Sequence, residues 1–244
     1  MKPVIVVKDL VKRYGSLTAV NGISFEVYEN EIFGIVGPNG AGKTSAVECI
    51  AGIRNPSSGS VNVLGLDPTK NSLELRELIG IQLQAGSLPY NMKVREALLL
   101  FANLHQRPQP VEPLLAQMGI AQKANDFYEK LSGGQKQRLA IALALVNDPK
   151  VVVFDELTTG LDPQARRAMW EMVRNIHALG KTVLLITHFM EEAEKLCDRV
   201  AFIDEGNVVA LDTPANLIQS INSTTPDPTL EDVFLSITGK EMRE

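Results

Sequence analysis

Three short segments hold the residues best suited to chemistry, and the first is a loop. Gly37-Pro38-Asn39-Gly40-Ala41-Gly42-Lys43-Thr44 reads G-x-x-x-x-G-K-T, with the apolar run Ile32–Val36 before it and a helix-like stretch, Ser45–Ala51, after it. This is the phosphate-loop pattern in its strand–loop–helix setting. Glycines let backbone N–H groups turn inward onto phosphate oxygens, and a helix start adds partial positive charge. Lys43 is suited to neutralise the β- and γ-phosphates of a nucleotide, and the Thr44 hydroxyl to ligate Mg2+. Ser45 joins Gly37–Thr44 in the candidate nucleotide-binding set. A glycine-rich turn with an incidental lysine has the same letters, but the flanking strand and helix favour phosphate. By itself the loop fits a kinase, a GTPase, a helicase or a transport motor.

The second segment is Val151-Val152-Val153-Phe154-Asp155-Glu156, an apolar strand ending in two acids. In an open α/β sheet ligands bind at the carboxyl ends of strands, so Asp155 is expected beside the phosphate loop. Its hard oxygens suit the Mg2+ shell, usually through water, and Glu156 suits a general base that polarises the attacking water. Two solvated acids in a surface turn are the bland alternative. The third segment, Leu131-Ser132-Gly133-Gly134-Gln135, has one ordinary reading: Ser132 and Gln135 form a capping box. A capping box does not need two consecutive glycines, which cost helix entropy. Exposed N–H groups at a helix start make a second anion site.

These segments need a scaffold, and the chain has one. Its 244 residues are 45% hydrophobic and 22% charged, enough for one large domain with a real core. A net charge of -5 and pI near 5.4 argue against nucleic acid as the main partner. The longest apolar stretches, such as Ala97–Ala102 and Val151–Phe154, fall short of the roughly 20 residues that span a membrane. Cys49 and Cys197 are isolated and read as apolar packing residues.

Strands are expected at Val4–Val7 (an edge strand), Ile23–Val27, Ile32–Val36, Ser60–Val63, Val151–Phe154, Thr182–Thr187, Val200–Ile203 and Val208–Leu211. Asp204–Asn207 reads as a hairpin turn. From Leu73 to about Gly119 the pattern is helical, and further helices are expected at Gln135–Asn147, Gln164–Leu179 and Met190–Cys197. The expected fold class is α/β, a mostly parallel core with a helical insert at about 85–150 between two α/β portions. Residues 1–222 form one domain, and 223–244 a Ser/Thr/Pro connector with a short helix, Leu230–Ile237.

Together GPNGAGKT, LSGGQKQR, VVVFDE, GLDP and the histidine of ITHFMEEAE resemble the ATP-binding cassette family, in its order and spacing, over about Val4 to Gly239. The resemblance implies a RecA-like P-loop ATPase, with a mixed, mostly parallel core, an antiparallel N-terminal subdomain and an inserted helical one. Two copies would pack head to tail around two ATP molecules, in an ATP-dependent dimer. The resemblance assigns Tyr14 to stacking on adenine, and Ser132, Gly134 and Gln135 to the γ-phosphate of ATP bound to the opposite copy, with Gly133 in the same nucleotide-binding set. Gln84 matches the glutamine that touches Mg2+ and the attacking water and links to a membrane partner; Gln82 is the nearby alternative, though the family spacing favours Gln84. Asp162 corresponds to the residue that communicates across the dimer, and His188 to the one that holds the γ-phosphate and orients Glu156. His105 and His177 match nothing and read as solvated.

One departure stands out: the family usually has proline after the catalytic glutamate, where this chain has Leu157. The resemblance implies an ATPase subunit of a transporter, at the cytoplasmic face of the cell membrane, coupled to a separate integral membrane permease. The tail Leu230–Leu235 resembles the drug- and polysaccharide-exporter branch, so export is the expected direction. Cassette ATPases that act on DNA carry long coiled-coil insertions, and those that act on ribosomes typically carry two cassettes with a basic linker. This chain has one cassette and is acidic.

Overall fold

The computed structural model describes residues 2–83, 88–221 and 227–239. The chain opens with β1 (Pro3–Tyr14), β2 (Leu17–Tyr28), β3 (Ile32–Val36), α1 (Lys43–Ile50), β4 (Ser58–Val63) and α2 (Ser72–Arg76). Its middle holds β5 (Ile79–Gln82), α3 (Val94–Ala102), α4 (Val111–Gln117), α5 (Gly133–Leu145), β6 (Val151–Asp155) and α6 (Pro163–Ala178). The last part runs through β7 (Thr182–Thr187), α7 (Met190–Leu196), β8 (Arg199–Asp204), β9 (Asn207–Asp212), α8 (Pro214–Ser220) and α9 (Leu230–Thr238). Two compact units result: Met1–Leu75 with Thr182–Glu244, and Arg76–Lys181. The helical insert expected at about 85–150 falls inside the second unit, which begins earlier and ends later.

In the first unit, β1 is the middle strand of an antiparallel sheet ordered β2-β1-β4. The expected edge strand at Val4–Val7 is therefore corrected: Val7 pairs with Phe25 on one side and with Val61 on the other. The strand also runs on to Tyr14 through a register shift between Val7 and Leu10, where Asp9 adopts φ 48°. That irregularity breaks the alternation on which strand length is read. The second sheet of this unit is ordered β7-β3-β8-β9. All five residues of β3 are buried, as an apolar run between two parallel neighbours requires. Glu205 and Gly206, with φ 47° and 77°, turn β8 back into β9, as a two-residue hairpin loop demands.

Helices cover this second sheet by ordinary apolar packing. α7 packs on β3 and β7, and α9 packs on α7 and α8. Phe234 of α9 is fully buried and meets Phe202 edge-on, with ring centroids 5.6 Å apart. Thr229 and Asp232 close the capping box of α9. Helix α8 was not expected. It carries a start signal, Thr213 capping with Pro214 after it, but only Leu217 is buried, so no apolar periodicity announces it.

In the second unit, β5 and β6 pair in parallel, and α5 packs on β5 and on α3. Ile79, expected to continue a helical pattern, instead starts β5. Four residues are too few for periodicity to separate strand from helix. The close contact explains the glycine in this strand: a Cβ at Gly80 would lie 1.7 Å from the Ala144 carbonyl oxygen, so the strand backbone presses directly on α5. His105 is not solvated as expected, since Nδ1 lies 3.4 Å from Glu77 Oε1 with little of the side chain exposed; His177 is half-buried in the last turn of α6.

Both cysteines are buried thiols, and burial pushes them above their ordinary pKa. Cys197 has a specific neighbour. A Cβ added at Gly34 in β3 would stand 2.8 Å from Cys197 Sγ and 3.0 Å from Val200 Cγ1. Gly34→Ala should therefore destabilise by about 1–3 kcal/mol in urea unfolding. In a Cys197→Ala background the same change should cost much less; equal costs in both backgrounds would refute the sulfur contact as the cause.

Candidate functional site

The candidate residues fall into two groups, one in each compact unit. In the first, β3 ends at Val36, whose partners are Thr187 of β7 and Phe202 of β8. The phosphate loop thus leaves the carboxyl end of a strand with parallel neighbours on both sides, the end at which α/β sheets bind ligands. His188 follows Thr187 and emerges at the same end of the adjacent strand. Its ring is tilted against that of Phe189, with centroids 4.1 Å apart, and Phe189 N donates to Thr187 Oγ1 at 3.0 Å.

The loop is tight where it passes over the sheet and open at its tip. Cβ atoms at Gly37 and Gly42 would lie 2.0 Å from Ile203 O and 2.1 Å from Ala19 O, whereas one at Gly40 would meet nothing within 4 Å. Gly42 is the N-cap of α1, with φ 100° and no side-chain cap. Lys43 is only 4% exposed, and its Nζ donates to Gly37 O at 2.7 Å and Pro38 O at 2.9 Å. The loop thereby closes around its own ammonium. Ala41 is buried, Pro38 half-buried, and Asn39 and Thr44 exposed. Ser45 Oγ lies 3.4 Å from the Tyr14 hydroxyl.

A glycine outside the candidate set secures this loop. Gly206, at the tip of the β8–β9 hairpin, donates its N–H to Ala41 O at 2.9 Å and accepts from Asn21 N at 2.8 Å. Asn21 Nδ2 also donates to Asn207 Oδ1. The hairpin tip is thus a backbone bridge between the phosphate loop and β2. In the sequence these residues read only as a turn, because their partners lie far away along the chain.

The second group begins where β6 ends. Asp155 is 1% exposed, and its carbonyl accepts from Gln82 Nε2 at 3.5 Å. Glu156 is 9% exposed and has φ 52°, a left-handed conformation uncommon for a non-glycine residue. Such backbone strain clusters at functional sites. Thr159 Oγ1 lies 3.4 Å from Glu156 Oε2. Leu157 is fully buried, and its carbonyl accepts from Gln137 Nε2 at 2.5 Å. Where the family pattern has a proline, burial and an α5 side chain restrain the turn instead.

The start of α5 has the expected box: Ser132 Oγ accepts from Gln135 N, and Ser132 N donates to Gln135 Oε1 at 2.9 Å. Asp162 caps α6 by accepting from Ala165 N at 2.9 Å, with Pro163 following it. Gln84 lies outside the described residues, while Gln82 is buried in β5. Gln137 was not singled out from the sequence; it sits in the LSGGQKQR segment, but its contact with Leu157 spans two elements.

The sequence profile of the ABC transporter family matches residues 20–159. The chain is 43% identical over 232 residues to the Nod factor export ATP-binding protein I of Burkholderia orbicola (strain AU 1054), covering 91% of this chain and 76% of that protein. Among solved structures, an ATP-binding subunit of an ABC transporter matches with TM-score 0.85 at 26% identity, over 96% of this chain and 99% of that one. The structure of cbiO1 from Clostridium perfringens, part of the ABC transporter complex cbiONQ, matches with TM-score 0.80 at 28% identity, over 90% and 92%.

Two substitutions probe the contacts found only in the structure. Gln137→Leu removes the bond to Leu157 O and should lower kcat about ten-fold with ATP affinity unchanged, in steady-state kinetics with a nucleotide titration. Gly206→Val, at φ 77° with its Cβ 3.0 Å from Ala19 O, should lower stability by about 1–3 kcal/mol and weaken ATP binding. Wild-type affinity in Gly206→Val would show that the hairpin does not hold the loop.

Proposed function

The chain belongs to the ABC transporter family, and we propose that it is the ATP-binding and ATP-hydrolysing subunit that drives export through a separate membrane permease. The observation that carries this reading is the start of α5. A side chain at Gly134 would meet nothing within 4 Å, and one at Gly133 only Leu161 Cδ2 at 3.9 Å. Neither glycine has positive φ. Each costs up to about 1 kcal/mol relative to alanine in a helix, and no contact among the described residues calls for it. What the pair leaves is backbone N–H groups with no side chains over them at the positive end of a helix. A second copy presenting the γ-phosphate of its own ATP suits that surface. Ser132, Gly133, Gly134 and Gln135 then face the partner copy's nucleotide, in a head-to-tail dimer, and Asp162 communicates across it.

Within one copy, Gly37–Thr44 and Ser45 take the phosphates, and Tyr14 stacks on the base. Lys43 fits its part because its buried ammonium is already held by two loop carbonyls. Mg2+ keeps several waters and binds phosphate oxygens with one or two carboxylates. The exposed Thr44 hydroxyl and the Asp155 carboxylate are such hard donors, and Gln84 is the third candidate for the shell. Phosphate oxygens of the nucleotide and water would supply the remaining ligands. Bound there, Mg2+ would neutralise charge on the phosphates. Glu156 accepts a proton from water as its oxygen attacks the γ-phosphorus, and the bond to ADP breaks. His188 holds the γ-phosphate and orients Glu156.

No described helix is long and apolar enough to cross a membrane. In the proposed assembly, the separate permease would hold the chain at the cytoplasmic face of the cell membrane. Residues 1–222 act as one cassette with a helical insert at about 85–150, and 223–244 as a connector and closing helix. Similarity to Nod factor export proteins favours export over action on DNA or ribosomes, and the permease selects the cargo. Glu156→Gln should bind ATP normally, hydrolyse it about 100- to 10,000-fold more slowly, and accumulate as an ATP-bound dimer in size-exclusion chromatography. Wild-type turnover would remove Glu156 from the role of base, and stimulation of the ATPase by DNA or ribosomes would overturn the transport reading.

A further inference from the structure

We infer that Lys12 and Arg54 brace the Tyr14 ring and thereby set how tightly this chain holds the base of its nucleotide, which makes both of them positioning residues. The inference rests on the reading of Tyr14 as the base platform. Lys12 Nζ lies 5.1 Å and Arg54 Cζ 5.6 Å from the centroid of the Tyr14 ring, inside the range of about 6 Å in which a cation is held by an aromatic face. Neither cation is a loose surface charge. Lys12 Nζ donates to Asn55 O at 2.7 Å, and Arg54 Nε donates to Glu48 Oε2 at 2.5 Å.

The anchors come from one short stretch of chain. Glu48 belongs to α1, the helix that begins at Lys43. Its backbone carbonyl accepts from Ile53 N and Arg54 N at 2.9 and 3.0 Å, and Asn55 follows at once. Both cations are therefore tied to the turn that ends α1, while the Tyr14 hydroxyl reaches Ser45 in the first turn of the same helix. The ring is held along the helix that carries the phosphate lysine.

An exposed ion pair such as Arg54–Glu48 stabilises the fold little. Its effect is to keep the guanidinium in place. Tyr14 is 38% exposed near the end of a strand, and Gly15 follows it at φ 58°, so an unbraced ring would lose rotamer freedom when a base stacks on it. Fixing the ring beforehand lowers that cost. A cation on an aromatic ring also draws on its negative face, which favours stacking with an electron-rich purine. The competing account is simple attraction: two cations near a nucleotide site could draw in phosphate of any kind.

The two accounts separate when ATP and inorganic tripolyphosphate, which has no base, are titrated calorimetrically into the full chain. Arg54→Gln and Lys12→Gln should each weaken ATP about two- to five-fold and leave tripolyphosphate unchanged. KM for ATP should rise while kcat holds. Tyr14→Leu should weaken ATP at least as much, and Arg54→Gln should add nothing in that background. Equal losses for ATP and tripolyphosphate would replace the brace with plain attraction. Wild-type ATP affinity in both cation variants, with a loss in Tyr14→Leu, would refute the brace alone. Wild-type affinity in Tyr14→Leu would refute the base-platform reading and the brace with it.

Discussion

The ammonium of Lys43 is buried, and much of the first unit follows from that. An ammonium taken out of water without partners costs several kcal/mol, so the loop must turn its own carbonyls onto it. Gly37 O and Pro38 O do so, which requires the chain to return sharply within six residues. That return runs the backbone against Ile203 O and Ala19 O, where only glycine fits. Those two oxygens are in place because β8 lies beside β3 and because β2 reaches the β8–β9 hairpin. The demand for one buried charge thus extends to sheet order, to two glycines and to a turn far along the chain.

The second unit solves a different problem, holding a strained residue steady. Glu156 sits in left-handed backbone that a glutamate adopts only when its surroundings hold it there. Burial of Leu157 holds the turn from below, and Gln137 of α5 holds its carbonyl. Helix α5 is itself seated on β5, where Gly80 lets strand and helix backbones touch. The same helix therefore presents the Ser132–Gln135 surface at its start and steadies the Glu156 turn one helical turn later. A proline would restrain the turn through its ring; here the restraint comes from packing, which a change elsewhere in α5 can alter.

What was legible in the sequence is what local chemistry determines. The runs Ile32–Val36, Val151–Phe154 and Thr182–Thr187 are apolar because strands covered on both faces must be, and β3, β6 and β7 lie where those runs do. The glycines and lysine of the phosphate loop, the capping box and the hairpin turn carry their geometry in their spacing. What stayed hidden depends on contacts between distant segments. β5 is too short to show a period, α8 buries a single leucine, and the register shift in β1 interrupts its alternation. The Gly206–Ala41 and Gln137–Leu157 bonds join residues whose types hint at nothing until the fold places them together. For the site, the letters named the chemical groups, while the parts that hold those groups still came from topology.

The two helix starts proposed as anion sites differ in one respect that orders the proposed cycle. Helix α1 has no side chain capping it: its N-cap is Gly42, a residue with no side chain to offer. Helix α5 already has Ser132 bonded to Gln135 N, and Gln135 bonded back to Ser132 N. A phosphate at α1 meets a helix start with no side-chain cap beside a held ammonium, whereas a phosphate at α5 meets a helix end already capped by a side chain. The free-energy gain is accordingly larger at α1. Nucleotide would load onto the phosphate loop of each copy first, and the α5 surface of the other copy would engage only afterwards. Because that second contact starts from a capped helix, it is the weaker of the two, and it is the one that loss of the γ-phosphate can release while ADP remains bound.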